Sequence, residues 1–359
     1  MNTRCRRFLA HSLSCLAAGL IILTSLGGCD GDPRYVRRNL ESNPLEALPD
    51  DAESVMVLNA EAFRNAALTE FVLGSPLSQP ALREDVTEKF LIVPPASVRL
   101  CAAAFSGMAD QETMQWGVVF VGKFDEESIM PQVKSDSFEL VESQYRTLKY
   151  FNCDMGSSTF SFSFFSPRVL VMANDAGRLC RMIELYCGAP GHVAESLFYK
   201  PLLEELPPEN TFWNISRIND SERQILNAIA ASLTEDPTEF SWDKAQVSII
   251  ELTITAELKL TWAILFEPDS GAAKQLSDLI NGRIQEMSDA LSLLESGAEN
   301  SKFTELWTDL LKRFSVTADG DRLQLLIEIP ADGFQKTLDT ITPIIAPAGP
   351  PPAQPAPAE

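Results

Sequence analysis

The sequence predicts an α+β chain made of two similar halves, each a mainly antiparallel sheet with helices packed on one face. Three observations carry this. Short apolar strands follow one another through tight turns, which rules out parallel neighbours, because parallel strands need a long crossover. Stretches with helical apolar spacing interrupt the strands. The order strand–helix, hairpin–helix, hairpin–helix occurs twice, with a break near Pro207-Pro208. The chain has 359 residues, 45% apolar and 22% charged, a composition that supports a substantial core.

In the first half, Ser54–Asn59 reads as a strand, and Ala62, Ala66, Leu68 and Phe71 as the apolar side of a helix. Ser97–Phe105 and Thr113–Gly122 follow as longer strands, and a helix opens at Asp125. A strand pair near Phe138–Val141 and Tyr145–Cys153 is extra to this half. In Thr159–Phe165, Phe160, Phe162 and Phe164 alternate with Ser161 and Ser163, the pattern of a strand with one buried face. Ser166-Pro167 turns the chain into Arg168–Met172, and a helix begins at Asn174-Asp175.

The second half repeats the order. Thr211–Ser216 is a strand, with a helix from Asp220 through Ile225, Ile229 and Leu233. Strands at Gln246–Ile254 and Glu257–Phe266 precede a helix opening at Asp269, whose apolar stripe is Leu276, Ile280, Met287, Leu291 and Leu294. A helix around Phe303–Leu311 follows. A hairpin, Phe314–Thr317 and Leu323–Ile329, turns at Asp319-Gly320, and a last helix lies near Phe334–Ile341. The organisation is therefore a leader over 1–28, a polar tether over 29–48, half one over 49–207, half two over 208–342, and a Pro/Ala-rich disordered tail over 343–359.

The leader carries Arg4, Arg6 and Arg7, then an apolar run from Phe8 to Leu26 that stops at Leu26-Gly27-Gly28-Cys29. The run is too short, and too closely followed by polar residues, to serve as a stable span. Leu26 three residues before Cys29, with small residues between, resembles the lipobox of bacterial lipoproteins. That resemblance implies cleavage before Cys29, acyl chains on the new N-terminus, and a membrane-anchored protein of the cell envelope facing the periplasm or the exterior. Leu48-Pro49-Asp50-Asp51-Ala52, leading into the first strand, resembles a segment of uncharacterised bacterial envelope lipoproteins with two α+β halves. The likeness spans residues 45 to 342 and implies no particular chemistry.

Charge excludes some partners. The chain has 50 acidic and 29 basic residues, a net charge of −21, and the leader removes three arginines. So acidic a body repels nucleic acid and anionic lipid headgroups, and neither is expected as a partner of the globular part. Arg34, Arg37 and Arg38, close to the anchor, could sit on anionic headgroups. Of the two histidines, His11 lies in the leader and His192 reads as a loop residue, so the sequence offers no multi-histidine metal site and no expected metal or cofactor. Cys101, Cys153, Cys180 and Cys187 could pair in three ways or stand as buried small hydrophobes. Cys180 and Cys187 lie about 10.5 Å apart along a helix, too far to bridge unless the helix ends before Cys187.

Catalytic patterns are sparse. Ser241-Trp242-Asp243-Lys244 has the Ser-x-x-Lys spacing of serine β-lactamases, but precedes a strand and lacks the companion Ser-Asp-Asn and Lys-Thr-Gly elements. The acidic pairs Asp50/Asp51, Asp125/Glu126/Glu127, Glu204/Glu205 and Asp319/Asp321 suit helix caps and turns; paired carboxylates could also serve as acid and base. Trp116, Trp213, Trp242, Trp262 and Trp307 could line a groove or fill the core. No Gly-rich phosphate loop occurs. The expectation is a lipid-anchored, non-catalytic envelope protein that binds a protein or ligand. The competing class is an envelope hydrolase using carboxylates or Ser241 with Lys244.

Overall fold

All twelve expected strands form, and they lie in one antiparallel sheet. The computed structural model describes residues 37–65, 97–124 without 109, 111 and 112, 126–127, 130–131, 139–154, 159–233, 242–255, 257–294 and 301–330. The leader with Cys29, the part of the first helix expected beyond Asn65, the helix expected near Phe334–Ile341, the opening of the helix at Asp125, Ser241 and the 343–359 tail lie outside the described residues.

The first half runs β1 (Ser54–Leu58), α1 (Ala60–Asn65), β2 (Val98–Ser106), β3 (Gln115–Gly122), β4 (Glu139–Tyr145), β5 (Leu148–Asp154), β6 (Thr159–Ser166), β7 (Val169–Ala173), α2 (Ala176–Tyr186) and α3 (Tyr199–Glu205). The second runs β8 (Phe212–Arg217), α4 (Asp220–Leu233), β9 (Ala245–Ile254), β10 (Glu257–Phe266), α5 (Ala272–Leu294), α6 (Ser301–Lys312), β11 (Phe314–Asp319) and β12 (Arg322–Pro330). Across the sheet the order is β11-β12-β10-β9-β8-β1-β2-β3-β7-β6-β5-β4.

A separate sheet for each half is thus corrected to one shared sheet. β1 pairs with β2 on one side and with β8 on the other, Ser54 opposite Ser216 and Leu58 opposite Phe212. Left apart, β1 and β8 would each expose a row of N–H and C=O groups at a sheet edge; pairing satisfies both rows. The sheet centre also carries polar side chains. Asn214 Nδ2 donates to Ser54 Oγ at 2.8 Å, and the Ser216 hydroxyl lies 2.8 Å from Ser54 Oγ. These contacts fix the register of the central pair.

Helices on one face only is corrected as well. Val55, Ala102, Ala104, Val119, Val171, Ile215, Ile249 and Ala263 point to one side and pack under α2, α3 and residues 40–48. Their alternates Cys101, Ala103, Val118, Phe120, Phe162, Leu170 and Met172 form a second core on the other side. On that side of the second half, Ile264, Phe266 and Leu323 meet Ala272, Ala273 and Leu276 of α5. Burial of both faces changes the reading of β6. Ser161 and Ser163 are buried like the phenylalanines, their hydroxyls donating to Asn152 Oδ1 and to the Lys149 carbonyl, each at 2.6 Å.

Helix starts follow cap chemistry. Asp175 accepts from the Arg178 N–H at 2.8 Å. Asn219 and Glu222 cap each other's backbone N–H reciprocally, opening α4. Asp269 does not cap α5: it sits in the preceding turn at φ +57°, and the helix begins at Ala272.

Candidate functional site

Residues 38–48 are the feature the sequence hides, and with 49–53 they form one strap over the body. The expected polar tether ends early, because from Arg38 onward the chain is built into the body. Leu40, Leu45, Ala47, Leu48 and Ala52 are buried in the main core, with a short 3₁₀ turn over Pro44–Ala47 that begins on proline. Five buried apolar side chains within thirteen residues supply the burial that offsets ordering the segment.

Backbone bonds run along this strap. The Arg38 N–H donates to the Tyr186 carbonyl at 3.1 Å, Val193 N–H to Leu48 O at 2.9 Å, Asp50 N–H to Gly191 O at 3.1 Å and Glu53 N–H to Phe105 O at 2.7 Å. Side chains add more. Arg38 turns inward, its guanidinium donating to the carbonyls of Leu185 at 2.9 Å and Ala189 at 3.2 Å at the end of α2. That geometry uses Arg38 to terminate a helix rather than to meet headgroups. The buried Tyr199 hydroxyl donates to the Ala52 carbonyl at 2.9 Å, and burial pushes its pKa above the ordinary range.

Two polar groups lie under the strap. Arg178 has 3% of its side chain exposed and grips Asp51 with one nitrogen, at 2.7 and 2.8 Å to the two carboxylate oxygens. Its second terminal nitrogen donates to Ser106 Oγ at 3.0 Å. His192, expected as a plain loop residue, is 1% exposed and forms an isolated β-bridge with Pro49. Its Nδ1 has no partner, and Nε2 lies 3.0 Å from Glu195 Oε2 but off the line of a hydrogen bond. Burial, and then the Arg38 charge, hold the His192 pKa below its ordinary value, against the opposing pull of Glu195 and Glu46.

The sequence candidates do not converge. No disulfide joins Cys101, Cys153, Cys180 or Cys187. Cys101 on β2 and Cys153 on β5 are four strands apart, about 19 Å, and burial raises their pKa values to about 12 and about 11. Lys244 ends a short 3₁₀ turn over Trp242–Lys244, immediately before β9. The acidic pairs are spread: Asp51 holds Arg178, Glu205 holds Arg322 at 2.7 Å, and Glu126 lies beside Lys149 and Glu142, burial raising its pKa to about 7. Trp242 stacks on Phe266 in the α5-side core, Trp262 donates to Ser248 Oγ, Trp213 packs on the opposite side, and Trp307 lies on α6. They line no common groove. Among the described residues, no group of His, Cys, Asp and Glu is placed to hold a metal ion.

No family model and no curated protein matches the chain. Among solved structures it is similar to crystal forms III and I of TP0453, each at a TM-score of 0.46 with 10% and 11% identity. These alignments cover 82% and 83% of this chain and 97% of the other. Crystal form IV of TP0453 matches at a TM-score of 0.41 with 11% identity. Among the described residues no helix is long and apolar enough to cross a membrane.

Proposed function

We propose that the chain is a lipid-anchored, non-catalytic protein of the bacterial cell envelope, held through acyl chains on Cys29, whose body binds a protein or ligand partner. The observation that carries this reading is the strap. The lipobox-like leader ends at Cys29, and nine residues later Arg38 is fixed to the end of α2. Nine residues span at most about 32 Å, so an anchor at Cys29 holds a rigid body close to the bilayer rather than at the end of a long leash. The test is Cys29→Ala. The variant is expected in the soluble envelope fraction while the parent stays with membranes; unchanged fractionation would contradict lipid anchoring. Capture of a stoichiometric partner by the parent from detergent-solubilised envelopes tests the binding half of the proposal.

The two halves are also read as copies of one unit. Outward from the central pair, β1-β2-β3-β7-β6 on one side matches β8-β9-β10-β12-β11 on the other, which supports duplication. The β4–β5 hairpin and the added helix α6 are then insertions. An experimental structure in which residues 50–206 and 211–342 fail to superpose on these strands would contradict it.

A further inference from the structure

Leu197 is 97% exposed, the most of any large apolar side chain described, with Leu293 on α5 next at 77%. It lies in the short link between the 3₁₀ turn Val193–Glu195 and α3. Glu195, two residues before it, comes within 4.0 Å of the Arg38 guanidinium, where the strap enters the body. Phe198, the next residue, carries the Arg217 guanidinium 4.2 Å above its ring. Lys200, in the first turn of α3, is exposed. An exposed leucine with Lys200 three residues on, and with Arg217 over the ring of its neighbour Phe198, is a small version of an interfacial anchor, an apolar tip with basic side chains near it that can reach headgroups.

We infer that Leu197 and its basic neighbours form the pole by which the body rests on the lipid bilayer, Leu197 entering the acyl region. The inference rests on the anchoring proposed above, because the tether selects the occupant. From Cys29 the chain reaches Arg38 over at most about 32 Å. A twelve-stranded sheet is about 53 Å across, so the tether cannot bring every part of the surface to the bilayer, while the Leu197 link sits beside the point where the tether arrives. One leucine is too small to bring an acidic body to a membrane from solution. Tethering makes the contact intramolecular, and at the resulting effective concentration a weak insertion suffices to set orientation.

The experiment uses full-length lipidated protein in phosphatidylcholine vesicles, with Leu197→Trp compared against the parent to subtract the native tryptophans. Vesicles with brominated acyl chains are expected to quench the added emission, which ordinary chains leave blue-shifted. Cys29→Ala carrying the same substitution is expected to keep its full emission with either lipid. A lipidated Leu197→Trp protein that floats with the vesicles, yet whose added emission is the same with brominated and ordinary chains, would overturn the docking pole and leave the anchor standing. Failure of the lipidated protein to float would overturn the anchoring itself, and this inference with it.

Discussion

Arg178 and Asp51 are an unequal pair. The guanidinium is buried, while 59% of the Asp51 side chain is exposed. Removing the carboxylate strands a buried charge, whereas removing the arginine leaves an acid that water can solvate. Asp51→Ala should therefore destabilise by about 3 kcal/mol, and Arg178→Met by about 1–2 kcal/mol, mainly through lost hydrogen bonds. Urea denaturation of both variants checks the order, and the reverse order would contradict it. His192 supplies a pH dependence whose sign is fixed. Its folded pKa lies below the ordinary 6.5, so the fold prefers neutral imidazole. The stability it contributes is complete above about pH 6.5 and is lost as pH falls through the lower folded value. Glu126 works in the opposite sense: its folded pKa is raised, so its contribution is present at low pH and lost as pH rises through about 7. His192→Gln should flatten the fall in urea midpoint between about pH 7.5 and 5 relative to the parent; an unchanged slope would show that His192 does not titrate against the fold. Neither role could be read in advance. A histidine after Pro190-Gly191 looks like a loop residue, and its β-bridge partner, Pro49, is more than 140 positions away.

At the scale of elements, the strands were legible because their signals are local. Alternation marked β6, and turn residues marked the hairpins at Ser166-Pro167 and Asp319-Gly320. The strap was not legible. Leu40, Leu45 and Leu48 follow neither a helical nor a strand period, and Arg37, Arg38 and Asn39 before them, with Glu41 and Asn43 between them, make the segment look like a linker. Its apolar residues are recruited one at a time by α2, the Val193 turn and the sheet. If the strap is part of the core, Leu48→Ala should cost about 2–5 kcal/mol, as for a fully buried leucine. A change within error in chemical denaturation would return the segment to the status of a tether. The placement of helices on both faces did have a signal. Continuous apolar runs in β2, β3 and β7 belong to strands buried on two sides rather than one.

At the scale of the molecule, the two sheets expected from the sequence are one sheet, joined through the β1–β8 pair. That contact joins residues about 160 positions apart and leaves no local trace in either strand. The candidate site divides the same way. The proposed anchor at Cys29 rests on the sequence alone, as a linear signal. The strap, the buried His192 and the exposed Leu197 were not legible there, because each depends on neighbours brought together only by the fold. The anchoring proposal and the docking pole share one premise, that the chain is fixed in the body from Arg38 onward. Hydrogen–deuterium exchange on the intact protein tests it most directly. The strap amides bonded to the body, those of Arg38, Asp50 and Glu53, should be protected together with β1 and β8. Exchange across 38–53 at the rate of an unstructured chain would contradict the premise, because a longer free tether would no longer hold the body close to the bilayer.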